Sequence, residues 1–99
     1  MSDTVPVTDN QAASRFEIRD DGYLAELRYH RNGTRLALIH TEVPEELEGR
    51  GIGGRLVTAA VARAAREGLT IVPYCPFARG WLERHPEVAG QVPIDWRAT

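Results

Sequence analysis

Four glycines fall within six residues, at positions 49, 51, 53 and 54, between a strand-like segment and a helical one, and this spacing constrains the fold more than any other stretch. Glycine loses more backbone freedom on folding than any other residue, so such a density is costly unless a close approach or an unusual backbone angle requires it. The segment ahead, residues 35–43, is apolar and becomes β-branched near its end, which predicts a central strand buried on both faces. Behind the glycines, Ile52, Leu56, Val57, Ala60, Val61 and Ala64 recur at helical spacing, with Arg55, Arg63, Arg66 and Glu67 largely outside that stripe. Gly68 suits the left-handed residue that ends a helix. First-turn amides of a helix have no internal partner and carry about half a positive charge between them. A loop without side chains lets an anion approach them closely, and Arg50 and Arg55 stand beside that end. The other use of the glycines is a tight turn with close helix packing; their density and the flanking elements favour the anion site.

The rest of the pattern builds one mixed sheet around this junction. Residues 1–13 mix Ser, Asp, Thr, Pro, Asn and Gln and read as a flexible leader, leaving 14–99 as a single domain. Residues 16–19 alternate apolar and charged side chains, and Asp20, Asp21 and Gly22 supply turn chemistry. Tyr23, Ala25, Leu27 and Tyr29 then share one strand face, before Asn32 and Gly33 close a second tight turn. Three consecutive antiparallel strands are expected. Residues 69–74 form a short β-branched run, and strand, helix, strand in this order predicts a parallel crossover. Pro76 can open a short helix through about His85, where Pro86 stops it, and the tail from Glu87 reads as irregular structure packed back on the body. The expected fold class is α/β (α+β): a minimal mixed sheet of three antiparallel strands, then a βαβ crossover and a short C-terminal helix.

Several function classes are set aside by composition. Ninety-nine residues, 42% of them hydrophobic, suit one modest core and no second domain. The 12 basic residues, all Arg, against 14 acidic ones give a net charge of -2, without the broad positive field of a nucleic-acid binder. No apolar run approaches the roughly 20 residues of a membrane span. Cys75 is the sole cysteine, and with no export signal it fits a reducing, cytoplasmic setting. Three dispersed His and one Cys show no metal-ligand spacing. A P-loop needs a Lys after its last glycine, and Arg55 follows Gly54 in a chain without Lys. A Rossmann fingerprint would follow the first strand of a longer parallel sheet, not three antiparallel strands.

The string Glu48, Gly49, Arg50, Gly51, Ile52, Gly53 resembles the acyl-CoA motif of the GNAT acetyltransferase superfamily, which has Arg or Gln, two residues, Gly, one residue, then Gly or Ala. Glu48 departs from it at the first position. With His40, Thr41, Glu42, Val43 and Pro44, then Pro73, Tyr74, Cys75, Pro76, Phe77 and finally His85, Pro86, Glu87, the chain is similar over about residues 15 to 88 to a small subgroup, the YjdJ-like or N-acetyltransferase domain-containing proteins. The resemblance implies acetyl-CoA as cofactor, its pyrophosphate on the amides of residues 50–54. It also implies that the pantetheine runs along residues 39–43, beside Ile39, Thr41 and Val43, in a splay between two parallel strands. It implies acetyl transfer to an amine acceptor on an open side. The same residues are compatible with a CoA-binding module that docks a protein partner.

Acyl transfer from a thioester needs a neutral amine, a polarised carbonyl and a proton for the departing thiolate. His40 and Glu42 lie two apart on one strand and share a face, as a base and its orienting partner would. Simple alternation also puts His40 on the face of Leu36 and Leu38, where it would be a core histidine; the resemblance favours a catalytic role. Cys75 precedes Pro76 at a helix start, where its thiol could become nucleophilic and carry an acyl group, or it is a small buried side chain. The resemblance supports the first. Arg84 and His85 read as a cationic helix end, and Trp81 and Trp96 as packing residues. A short edge strand near Phe16 permits a monomer or a weak dimer.

Overall fold

The computed structural model describes residues 5–97. Its elements in chain order are β1 (Thr8–Asn10), β2 (Arg15–Asp20), β3 (Tyr23–Asn32), β4 (Arg35–Glu42), α1 (Ile52–Glu67), β5 (Thr70–Pro73), α2 (Pro76–Arg84) and α3 (Pro86–Ala89), with short 3-10 turns at Gln11–Ala13 and Glu45–Leu47. The five strands lie in the order β1-β2-β3-β4-β5, antiparallel through β4 and parallel between β4 and β5. The expected mixed sheet and βαβ crossover are present.

The apolar stripe of α1 packs on β2 and β3 and α2 packs on β4, so Phe16, Ile18, Ala25, Leu27, Leu36 and Leu38 are buried beneath helices. Ile52, Leu56, Val57, Ala60, Val61 and Ala64 are all buried, as their spacing predicts. Gly68, at φ 69°, ends α1 with its N–H on the Ala64 carbonyl.

Four expectations need correction. Part of the stretch read as a flexible leader is a strand, since Thr8, Asp9 and Asn10 pair with Glu17, Phe16 and Arg15; residues 1–4 lie outside the described residues. There are thus four antiparallel strands, and β1, not the strand of Phe16, is that edge of the sheet. Arg63 is buried rather than outside the stripe, because Asp9 on β1 and Glu67 one turn along accept from its guanidinium. The tail packs back on the body as expected, with Ile94 bridging to Ile71 at the outer edge of β5, but it is not irregular throughout, since α3 follows α2 directly.

The fourth correction concerns β4. Tyr29 pairs with Leu38 and Arg28 with His40, so Ile39 is an extra residue, a β-bulge. A bulge shifts every later side chain by one position relative to the pleat. Before it, Leu36 and Leu38 face the helices. After it, Thr41 takes that face opposite Leu27, while His40 and Glu42 turn to the other side opposite Arg28 and Glu26. Because Ile39, His40 and Glu42 are exposed there, β4 is covered on one face only.

Candidate active site

The site begins where β4 and β5 part. Their pairing ends at Leu38 and Pro73, after which the Cys75 N–H donates to the Leu38 carbonyl at 2.9 Å. Proline has no N–H to continue a ladder, and the chain turns into α2. From His40 onward β4 is paired through Glu42 with β3 alone. A groove of 530 Å³ fills the gap, with Thr41 and Val43 from β4 on one side and Phe77 and Trp81 from α2 on the other. Leu47 and Glu48 from the connector and Gly51, Ile52, Gly53 and Gly54 at the start of α1 complete it.

Gly51 is the N-cap of α1 at φ 71° and brings no side chain to its amides. That left-handed angle is open to glycine without strain, and the bare cap leaves the first-turn amides for a ligand. Gly53 and Gly54 have a further reason. A Cβ on Gly53 would stand 2.6 Å from the Phe77 ring, and one on Gly54 2.5 Å from Trp81 Nε1. The close-packing use of the glycines and the anion-site use therefore coexist in one motif.

The arginines take other partners. Arg50 Nη1 donates to Asp20 Oδ2 at 3.3 Å, and Arg55 donates to the Val5 carbonyl and lines a separate depression with Val7, Thr58 and Ala59. Neither lines the groove. Among the described residues the one ionisable side chain on its wall is Glu48, at the position where the motif resembled above has Arg or Gln.

His40 Nε2 stands 3.5 Å from Glu42 Oε1 on the uncovered face, both side chains largely exposed. The structure thus brings this pair together, away from Leu36 and Leu38. Cys75 is buried among core residues, with its Sγ 3.2 Å from Thr41 Oγ1. Thr41 links that thiol to the groove wall. Neither Phe77 nor Trp81 was singled out from sequence as a site residue. The signal was there in retrospect: two aromatics four apart on a short helix share a face, and a glycine pair elsewhere offers the matching gap. Trp81 also stacks on His85 at 3.9 Å and 14°, and His85 Nδ1 lies 2.7 Å from the Trp81 carbonyl, so that histidine is tied to α2 itself. Among the described residues no three His, Cys, Asp or Glu side chains cluster to hold a metal, and no helix is long and apolar enough to cross a membrane.

Comparison with known proteins agrees with this geometry. A solution NMR structure of a GCN5-like protein from Staphylococcus aureus is similar at a TM-score of 0.71 and 29% identity, over 98% of this chain and 96% of that one. The family model described as GCN5-related N-acetyl-transferase matches residues 15–91. A bare helix start opposite an unpaired strand edge, in a chain that matches this family over most of its length, places the protein among the GCN5-related N-acetyltransferases.

Proposed function

We propose that the protein transfers an acetyl group from acetyl-CoA to a primary amine. The observation that carries this reading is the alignment, along one groove, of an unpaired β4 edge and the uncapped amino end of α1. The residues suit coenzyme A in three respects. The backbone edge at Ile39, Thr41 and Val43 can hydrogen-bond an amide-bearing pantetheine as a neighbouring strand would, since backbone groups there need partners. The amides of Ile52, Gly53 and Gly54 suit a pyrophosphate. Val43, Leu47 and Phe77 supply an apolar wall. Arg50 can exchange Asp20 for a phosphate at little cost, because exposed ion pairs contribute only about 0–1 kcal/mol.

Acetyl-CoA held there supplies a thioester: the amine nitrogen bonds to its carbonyl carbon, the carbon–sulfur bond breaks, and the thiolate leaves. His40, on the uncovered face, accepts the proton the amine loses, and Glu42 beside it orients the ring. A second route is favoured by the Thr41 contact, which connects the Cys75 thiol to the groove. In that route Sγ bonds to the carbonyl carbon as the carbon–sulfur bond to the coenzyme breaks, the thiol proton going to the coenzyme thiolate; the amine nitrogen then displaces Sγ, which takes up the proton the amine loses. The lone reduced Cys75 fits a cytoplasmic protein.

The test is free-thiol release from acetyl-CoA with a panel of amines. Wild type should show amine-accelerated release, and His40→Ala should lower it by roughly a hundredfold or more while coenzyme A still raises the melting temperature. Mass spectrometry without amine separates the two routes, since only the second leaves an acetyl group on Cys75. A protein that binds coenzyme A while no amine speeds release would instead be a binding module.

A further inference from the structure

Behind the splay, on the sheet face opposite the groove, lies a further depression of 250 Å³. Its floor is apolar, with Val72 buried and Ala37 half-buried, yet Val72 is not part of the core beneath the helices. Ile39, the bulge residue, and Tyr74, just past the end of β5, form its wall at the mouth of the splay, and both are about half exposed, at 46% and 48%. At the far end the rim carries Asn32 and Arg35, with His30 beside Ala37 midway along it. Among the described residues no carboxylate lines it. Arg35 Nη2 donates to Asp95 Oδ2 at 2.8 Å, which leaves the rest of a half-exposed guanidinium directed to solvent.

We infer that this depression is the acceptor site and that it takes an aliphatic amine carrying a carboxylate at its far end. The inference rests on the acetyl-transfer reading, because the splay is where the groove and the uncovered face meet. Charge complementarity chooses the occupant. Asp95 takes up one N–H of Arg35 from outside the depression, and the donors that remain on the lining, those of Arg35 and Asn32, receive a carboxylate in preference to a second ammonium group. Strand geometry sets the length. Arg35 and Ile39 lie four residues apart on one strand, about 13 Å between Cα atoms at roughly 3.3 Å per residue. Even with the reach of the arginine side chain, an amine at the splay and a carboxylate at Arg35 must be several bonds apart. An ω-amino acid fits this separation; an α-amino acid does not.

Binding is measured by NMR titration of the labelled full-length protein, with and without coenzyme A. The probes are ε-aminocaproate, hexylamine, hexamethylenediamine and glycine. Shifts at Asn32, Ala37, Ile39 and Tyr74 with ε-aminocaproate, tighter than with the other three, are the expected result. Arg35→Gln should weaken ε-aminocaproate by roughly tenfold and leave hexylamine within about twofold. Asp95→Asn removes the competing carboxylate and should tighten ε-aminocaproate by about threefold, an effect opposite to that of a merely structural loss. Equal binding of the diamine and the amino acid, shifts confined to another surface, or Arg35→Gln weakening both probes alike would overturn the proposal. Amine-accelerated thiol release from acetyl-CoA, followed separately with the same amines, tells its failure from failure of the acetyl-transfer reading.

Discussion

Glu48 shows how one side chain can tune a site built from backbone. The groove offers an anion the half-charge of a helix end, and Glu48 places a full negative charge on the same wall. Glu48→Gln removes that charge and restores a residue type the motif normally holds at this position. Coenzyme A should bind this variant tighter by up to about 1 kcal/mol, roughly fivefold in Kd, with the gain shrinking at high salt. Isothermal titration at two ionic strengths checks both parts, and unchanged affinity would place the phosphates away from Glu48. Ile39 acts at the same scale. As one extra residue it turns His40 from the core side to the open side and brings Thr41 beside Cys75. Counting by twos through residues 36–42 cannot show this, because bulge formation depends on what β3 presents opposite.

The element with the least sequence signal is β1. Three residues cannot hold a strand by pairing alone, and side chains supply the rest. Asp9 accepts the Tyr29 hydroxyl at 2.6 Å and Arg63 Nη1 at 3.1 Å, and the Arg63 guanidinium lies 5.2 Å over the Tyr29 ring. This latch ties β1 to β3 and α1 together. Burial, and then the hydrogen bond to Asp9, push the Tyr29 phenol up to about 12. A group whose folded pKa is raised contributes stability below its unfolded value, and that contribution is lost as pH rises through the folded one. Wild-type stability should therefore fall between about pH 10, the ordinary tyrosine value, and pH 12. Tyr29→Phe should cost roughly 1–3 kcal/mol at neutral pH, since it leaves Asp9 short of a donor, and should show a smaller alkaline loss. Chemical denaturation across that range checks both; identical pH profiles for the two proteins would remove Tyr29 as the cause.

The whole molecule is closed by its C-terminal tail. The Asp95 N–H donates to the Ile71 carbonyl, and its carboxylate receives Arg35 and the backbone N–H of Arg97. The Arg35 hydrogen bond first, then that of Arg97, hold the Asp95 carboxyl down at about 2. A lowered acid contributes stability above its unfolded value, and this is lost as pH falls through the folded one. The tail should loosen from about pH 4, near the ordinary aspartate value, down to pH 2, seen as faster amide exchange at Ile71 and Asp95 before the core. Asp95→Asn should show that faster exchange already at neutral pH. What the sequence by itself determined was local: the α1 stripe, the turns at Gly22 and Gly33, the glycine-led helix start and the order of elements from β2 through α2. Period, turn chemistry and glycine act over a few residues and do not depend on distant partners. Only the tertiary structure decided the β1 strand, the burial of Arg63, the bulge at Ile39 and the aromatic wall of Phe77 and Trp81 over Gly53 and Gly54. It likewise sent Arg50 and Arg55 to partners outside the groove. Each of these follows from contacts between segments far apart in the chain, where packing and pairing across the sheet override what neighbouring residues prefer.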